Sequence, residues 1–237
     1  MKLQRKGTRH SHRGVIGVES AIVMIAFVIV AAALAFVVLN MGFSTSQKAK
    51  TTILSGLAES SSSLEVSGKV IGVGCTTAAG SCTSSPVLNA TAIPIKITSG
   101  GDSVELSAAT TTVSYVSNSK QYTDIYVGPL PATTEYRSLS DAFDGAVGVL
   151  SGFSGTVQPI TGTNPSSTSA FVYWTVASNT NAILDQGEHA ILAIAYASAD
   201  RPAALDKIRA EIIVSTGASL TVERQVPNIT TSVVDLG

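Results

Sequence analysis

The stretch AIVMIAFVIVAAALAFVVL, residues 21–39, decides how this chain is organised, because nineteen consecutive residues lack a strongly polar side chain. At about 1.5 Å of rise per residue, roughly twenty helical residues cross the ~30 Å hydrocarbon core of a membrane. The run is apolar on every face. It therefore predicts a helix that is surrounded by lipid or by other apolar helices.

Basic side chains stand directly before this run. The first fourteen residues contain five of them and no acid, namely Lys2, Arg5, Lys6, Arg9 and Arg13. The positive-inside rule keeps such a leader in the cytoplasm. The net charge of the whole chain is only −1, so composition does not indicate nucleic acid as a partner. The charge pattern is typical of a targeting segment.

A cut between Gly14 and Val15 would separate the leader from the apolar run. An ordinary secretory signal has an apolar core of about 7–15 residues, and its cleavage site follows that core. Here the run is longer and the natural site, HRG|VIG, comes before it. Processing would then discard the charges and keep the helix. A permanent membrane anchor is the alternative that hydropathy leaves open.

The helix is expected to continue beyond the apolar run. Ile53 and Leu57 stand four residues apart on one apolar stripe, whereas the serines at 60–63 would end the helix or form a hinge. The predicted parts are a leader (1–14), a helix (15–62) and an outer β domain (63–237).

Strand patterns fill the outer domain. Stretches with a period of two, bounded by Gly, Ser, Asn or Pro, predict eight or more strands, which suggests a single β-sandwich, immunoglobulin-like in the broad sense. The predicted fold class is therefore α+β, with a long N-terminal hydrophobic helix before the sandwich. The strand stretches are LEVSGKVIGV, AIPIKIT, TTVSYVS, YTDIYVG, AFVYWTVA, AILAIAYA, IRAEIIVS and LTVERQVP.

Three stretches of the outer domain carry further expectations. In FVYWTV, residues 171–176, both faces are apolar, which favours a central strand or a face at a subunit interface. IIVSTGASLTVE predicts a hairpin with its turn near Thr216 to Ser219. SLSDAFDGAVGVLSGF predicts either a short helix or a loop excursion.

Both ends of the chain resemble a known family. RGVIGVESAIVMIAFVIVAAALAFVVLNMGF, residues 13–43, looks like the class III signal and N-terminal helix of archaeal flagellins (archaellins), relatives of type IV pilins. LDKIRAEIIVSTGASLTVERQVP, residues 205–227, and the final VVDLG resemble the same family. The first pattern alone marks the wider pilin-like superfamily. The second favours an archaellin over an adhesive pilin.

The resemblance implies a route to function. Residues 1–14 would be a class III signal peptide, cut between Gly14 and Val15 by a prepilin-type membrane peptidase. The processed helix would leave the membrane and pack with its copies in a filament core. The implied partners are copies of this chain, other archaellins, and the assembly and motor machinery, with no cofactor. The precursor would lie in the cytoplasmic membrane and the filament outside the cell.

Glu19 is the charge at the start of the apolar segment, and it would be the fifth residue of the processed chain. An isolated charge at membrane depth costs several kcal/mol. In type IV pilins an acid at this position is thought to pair with a subunit N-terminus, and the resemblance implies this role for Glu19. The alternative is that Glu19 snorkels to water near the headgroups. Close helix packing uses small residues, and the candidates are Ala26, Ala31 and Ala35.

Two kinds of modification are expected if the chain is exported. Cys75 and Cys82 enclose six residues that could fold back and close a disulfide, and two free thiols in a surface loop are the alternative. NAT at Asn89 and NIT at Asn228 are N-glycosylation sequons. Archaellins are often N-glycosylated, so the resemblance favours a glycan, at Asn89 more than at Asn228.

Sequence patterns for catalysis are absent, because the chain contains no GxGxxG, P-loop, HExxH or GxSxG motif. His189 stands alone once the leader is removed, and the two cysteines lack the further ligands that zinc needs. Asp141 and Asp144 offer too few oxygens for Ca²⁺, which takes six to eight. We therefore predict no enzymatic activity, no metal and no cofactor.

Three functions follow as hypotheses. The leading one is a structural subunit of the archaeal flagellum (archaellum) filament, which polymerises through its N-terminal helix and serves swimming. The second is an archaeal type IV adhesive pilin with the same assembly route. The third is a singly anchored extracellular binding module or enzyme, which predicts monomers in detergent and no filament.

Overall fold

The computed structural model describes residues 13–61, 64–75, 86–161 and 163–237. Contacts divide the chain into two compact units, residues 1–55 and 56–237. The leader predicted at 1–14 lies almost entirely outside the described residues, so the predicted domain boundaries stay predictions.

One uninterrupted helix dominates the N-terminal part. This helix, α1, spans Arg13–Ser61 (49 residues), so it is roughly 73 Å long. The large apolar side chains from Val18 to Leu57 are each at least 52% exposed. Among the described helices, α1 is the one that length and composition qualify to cross a membrane. The long hydrophobic helix predicted from the sequence is confirmed.

The distal part of α1 carries polar residues without losing helical structure. The Thr45 hydroxyl donates to the Met41 carbonyl oxygen at 2.8 Å, and the Thr51 and Thr52 hydroxyls both donate to the Lys48 carbonyl oxygen at 2.9 Å. Bonds of this kind satisfy a hydroxyl within the helix itself. The helix can therefore run from an apolar half into a polar half.

The described residues of the β domain form thirteen strands and a second helix. These are β1 (Leu64–Val66), β2 (Ile71–Cys75), β3 (Val87–Ile97), β4 (Val104–Glu105), β5 (Thr112–Ser117), β6 (Gln121–Tyr122), β7 (Tyr126–Pro129), α2 (Leu139–Ala146), β8 (Ser169–Val176), β9 (Ile183–Leu184), β10 (His189–Ala195), β11 (Lys207–Ile213), β12 (Leu220–Gln225) and β13 (Val233–Asp235).

Two larger sheets organise this domain. The first has seven strands in the order β13-β2-β3-β10-β8-β7, with β1 also paired to β3. The second has four strands in the order β12-β11-β5-β6, and β4 pairs with β9 in a small separate ladder. The β7–β8 pair is parallel, and the other paired strands are antiparallel.

A hydrophobic core joins the two larger sheets. Ile93 and Ile194 of the seven-stranded sheet and Tyr115, Ile208 and Val222 of the four-stranded sheet belong to one buried cluster. Inward and outward residues alternate along β11, as expected for a strand with one face on a core and one in solvent. The outer domain is therefore a β-sandwich, and the predicted α+β class is confirmed.

The other face of the seven-stranded sheet is covered as well. The Phe171 ring of β8 meets the rings of Phe143 in α2 and Phe153 in the following loop, with centroid distances of 5.3 and 5.1 Å. Trp174 and Val172, on the opposite face of β8, lie in the inter-sheet core. Both faces of β8 are thus buried within the subunit, which confirms the central-strand interpretation of FVYWTV.

The helix α2 resolves the ambiguity of SLSDAFDGAVGVLSGF in favour of a short helix. Ser138 is its N-cap, and the Ser138 side chain accepts a hydrogen bond from the Asp141 amide at 3.1 Å, a typical helix start. Its buried residues Leu139, Ala142, Phe143 and Ala146 have helical spacing, so one stripe faces the sheet.

Pro94 lies inside β3, where proline would normally interrupt a ladder. Strand β2 pairs with β3 through Ala92, and β1 pairs with β3 from Ile95 onward. Pro94 therefore falls between two partner strands, and its carbonyl oxygen accepts from the Ser67 amide at 2.9 Å. The missing N–H group coincides with the change of partner, so the strand tolerates the proline.

Candidate assembly helix and modification sites

Charged side chains are rare along α1. Between Gly17 and Leu57 the ionisable side chains are Glu19, Lys48 and Lys50, and all three are exposed. Between Glu19 and Lys48 the large apolar side chains of α1 are all exposed. Such a surface has to be covered, because exposed apolar patches of this size mark membrane or protein interfaces.

The three alanines singled out for close packing lie on different sides of α1. At 100° per residue, Ala31 and Ala35 are about 40° apart, whereas Ala26 lies about 180° from Ala35. All three are exposed. Small residues therefore occupy two faces of the helix, which suits a rod that has neighbours on more than one side.

The processing junction falls at the start of the described helix. Gly14 and Val15 lie within α1, while residues 1–12 lie outside the described part of the chain. Gly17 and Gly42 have nothing within 4 Å of an added Cβ, so packing within the subunit does not require these glycines. Cleavage after Gly14 stays a prediction.

The predicted disulfide also stays a prediction. Cys75 is the last residue of β2, and Cys82 lies outside the described residues.

The two sequons differ sharply in exposure. Asn89 is 1% exposed; its Nδ2 donates to the Pro159 carbonyl oxygen at 2.9 Å, and its Oδ1 accepts from Arg201 Nη1 at 3.3 Å. A glycan on Nδ2 would displace the bond to Pro159 and needs space that the folded domain lacks. Asn228 is exposed. This geometry reverses the expected preference, while modification at either sequon stays a prediction.

Asp200, a buried acid that the sequence analysis did not identify, forms hydrogen bonds that link the two larger sheets. Asp200 is 6% exposed; it accepts hydrogen bonds from the Tyr122 hydroxyl at 2.7 Å and the Thr168 hydroxyl at 2.8 Å, and Lys120 Nζ lies 3.3 Å away. Burial alone would raise the pKa of Asp200, but the two hydroxyl donors and the Lys120 ammonium together hold that pKa below its ordinary value. Tyr122 belongs to β6 and Thr168 directly precedes β8, so Asp200 links both sheets.

A second buried acid shapes the loop between β8 and β10. Glu188 is only 1% exposed. Its carboxylate accepts hydrogen bonds from the backbone amides of Ser178, Asn179 and Asp185 at 2.7, 3.3 and 2.9 Å. Charge-assisted bonds to backbone amides are among the stronger hydrogen bonds in proteins. Glu188 therefore fixes the path of this loop.

The candidates for metal binding have other roles. Asp144 Oδ1 accepts a hydrogen bond from Gln158 Nε2 at 2.8 Å, and Asp141 lies in the first turn of α2, where an acid is favoured by the helix dipole. His189 begins β10. Within the described ranges, no three His, Cys, Asp or Glu side chains are grouped to hold a metal ion.

Within the described residues, the chain combines a long helix whose large apolar side chains are exposed with a β-sandwich that buries its own core. The model of the archaeal-type flagellin family matches residues 14–224. The chain belongs to this family.

A curated relative agrees with this assignment, and two solved structures share the fold. The chain is 38% identical over 219 residues to a probable flagellin 1 of Aeropyrum pernix, with 91% of this chain and 92% of the relative covered. It resembles the archaeal flagellum of Methanospirillum hungatei strain JF1 with a TM-score of 0.54 and 24% identity, over 90% of this chain and 94% of that one. It also resembles the archaeal flagellin FlaB1 of Methanocaldococcus jannaschii, with a TM-score of 0.54 and 15% identity, over 74% of this chain and 96% of that one. The two structures show that the fold is shared.

Proposed function

We propose that this chain is a structural subunit of the archaeal flagellum filament, that it polymerises through α1, and that the filament serves swimming. The observation that carries the proposal is the exposure of α1, whose large apolar side chains from Val18 to Leu57 are each at least 52% exposed. Copies of the chain would cover this surface in the filament. Membership of the archaeal-type flagellin family supports the proposal.

Processing would release the rod from its first environment. The basic leader holds the precursor in the cytoplasmic membrane with its N-terminus inside, and a prepilin-type peptidase would cut between Gly14 and Val15. Lipid tails are as apolar as leucine, so transfer of α1 from lipid to protein gains little hydrophobic energy. Close packing between helices has to supply the difference, and Ala26, Ala31 and Ala35 are the residues that permit it.

The β domain would form the outside of the filament. Its core is complete within the described residues, so this domain needs no partner in order to fold. Asn228 is the exposed sequon and would carry a glycan on the outer surface. Other archaellins, the assembly proteins and a separate ATP-driven motor would be the remaining partners, and the filament would transmit the torque of that motor.

The first experiment blocks processing. Gly14→Val should prevent cleavage, because a branched side chain would obstruct a peptidase that has to approach the backbone. Gly7→Val, a matched change within the leader, should leave cleavage intact. Mass spectrometry of membrane and filament fractions measures the processed fraction. Normal filaments from the Gly14→Val strain would contradict the proposal.

The second experiment separates swimming from attachment. Cells that lack this chain should lose swimming in soft agar, and the wild-type chain supplied from a plasmid should restore it. An adhesive pilin would give the opposite result, with intact swimming and lost attachment. A singly anchored module would change neither filament abundance nor swimming, and it would remain monomeric in detergent.

A further inference from the structure

The charges on α1 present an electrostatic problem for assembly. Glu19, Lys48 and Lys50 are the ionisable residues between Gly17 and Leu57. The ion pairs recorded among the described residues are Lys69–Asp235, Lys96–Glu65 and Lys120–Asp200, so none of them involves these three side chains. A charge moved from water into an apolar helix bundle costs several kcal/mol unless it meets a partner.

Helical geometry relates Glu19 to one of the two lysines. Lys48 follows Glu19 by 29 positions in a single uninterrupted helix. At 1.5 Å and 100° per residue, the two side chains are about 44 Å apart along the helix axis and only about 20° apart around it. Lys50 lies about 140° from Glu19 around the same axis. Glu19 and Lys48 therefore share one face of the rod, and Lys50 does not.

The face between these two charges is mainly apolar and carries no aromatic ring. Within about 40° of the line from Glu19 to Lys48, the apolar positions are Val23, Ala26, Val30, Ala33, Leu34, Val37 and Met41. The phenylalanines of the rod all lie outside this sector. Neighbouring copies can therefore pack along this face, with Ala26 and Ala33 as its small residues.

We propose that Lys48 of one subunit pairs with Glu19 of another copy, displaced by about 44 Å along the filament axis. The proposal rests on the filament function proposed above. In an assembly built by a screw operation, side chains that face the axis in one copy face it in every copy. In this arrangement the Glu19–Lys48 face points to the axis, so that the two charges meet charges of other copies and do not lie unpaired among apolar side chains. Copies displaced by the spacing of the two residues then bring opposite charges to the same height.

This pairing differs from the role that the resemblance implies for Glu19. A bond to the free amine of Val15 would leave Lys48 without influence on assembly. The Glu19–Lys48 pair makes the lysine as necessary as the acid, because the removal of either partner leaves the other charge buried and unpaired. The two accounts therefore differ in what they expect of Lys48.

The test uses the full-length chain in cells that lack their own copy, with filament protein per cell measured by immunoblot of sheared, pelleted filaments. Lys48→Gln should reduce filament abundance roughly tenfold or more, whereas Lys48→Arg and the matched control Lys50→Gln should stay near wild type. Immunoblots of membranes confirm that each precursor is made. Wild-type filament abundance from Lys48→Gln would overturn the pair.

A charge exchange sharpens the test. Glu19→Lys and Lys48→Glu should each block assembly, and the double variant should form more filaments than either single variant. A double variant no better than Glu19→Lys would contradict the proposal, provided that mass spectrometry finds both precursors cleaved. If Glu19 variants are not cleaved, the Lys48 series decides alone, because Lys48 lies far from the junction.

The outcomes also separate this proposal from the function on which it rests. Wild-type cells whose filaments lack the processed chain would overturn both. Wild-type filaments built from the processed chain, together with normal assembly of Lys48→Gln, would overturn the ion pair alone.

Discussion

The rod and the β-sandwich solve the same physical problem in opposite ways. Both are rich in apolar side chains, yet Val30 of α1 is 57% exposed whereas Trp174 of β8 is 1% exposed. The sandwich covers its apolar residues with its own sheets, α2 and loops. The rod leaves that task to lipid or to other copies. The apolar residues of the sandwich therefore stabilise its own fold, whereas those of the rod are available for assembly.

The largest expected effect comes from a charge on the rod. Val30 and Val149 are almost equally exposed, at 57% and 58%, but Val30 lies on α1 and Val149 follows α2. Val30→Glu should lower filament abundance by about a hundredfold, because a lone carboxylate costs several kcal/mol in an apolar setting. Val149→Glu should assemble normally. Quantified immunoblots of sheared filaments compare the two variants, and equal losses would erase the distinction between the units.

The next effect in size concerns folding of the sandwich. Trp174→Ala removes a fully buried ring and the hydrogen bond from Trp174 Nε1 to the Leu130 carbonyl oxygen, so it should lower the free energy of unfolding by about 3–5 kcal/mol. Thermal unfolding of the full chain in detergent measures this, with the helical signal of α1 followed separately. Val149→Ala, an exposed control, should change stability by less than ~0.5 kcal/mol. If the helical signal of α1 were lost together with the sandwich, the two parts would not fold independently, which would contradict the prediction.

A smaller effect is expected from the acid that links the two sheets. Because the pKa of Asp200 is held below its ordinary value of about 3.9, the carboxylate stabilises the fold above that pH, and this contribution is lost as pH falls through the folded-state pKa. Asp200→Asn should lower the stability by about 1–2 kcal/mol at neutral pH, and the gap to wild type should close below pH ~4. Lys120→Gln, which leaves both hydroxyl donors, should have a smaller effect. A gap that persists in acid would contradict the assignment.

The smallest predicted effect is a gain. Among the described residues other than glycine, Leu205 has a positive φ of +71°. Leu205 is also 65% exposed. A left-handed conformation costs about 1–2 kcal/mol for a residue with a Cβ. Glycine avoids this cost, but it loses more conformational entropy on folding, which offsets up to ~1 kcal/mol of the gain. Leu205→Gly should raise the free energy of unfolding by about 0.5 kcal/mol, while Leu205→Ala keeps the strain. Denaturant unfolding in detergent distinguishes them, and a loss of stability in Leu205→Gly would show that the leucine packs usefully.

Features defined by local pattern could be predicted from the sequence. The composition of residues 21–39 was sufficient for the helix, and the alternation in IRAEIIVS and LTVERQVP was sufficient for the hairpin of β11 and β12, which pair in register from Lys207–Gln225 to Ile212–Leu220. The match at both ends of the chain was sufficient for the family. Each of these signals lies within one continuous stretch.

Features defined by distant partners could not be predicted. Strands β4 and β9 have two residues each, so they exist only through their pairing. Asp200 receives hydroxyl donors from Tyr122 and Thr168, which lie 78 and 32 positions away. Asn89 carries a sequon that is locally no different from an exposed one, and only the packing of Pro159 and Arg201 against it shows that the amide is buried.

We expect α1 to become the filament core once the leader has been removed. The most direct measurement is the intact mass and N-terminal sequence of the protein in filaments sheared from wild-type cells. We expect a chain that begins at Val15 and retains α1 from that residue onward. A filament protein that still carries residues 1–14, or that has lost the apolar run at 21–39, would contradict it.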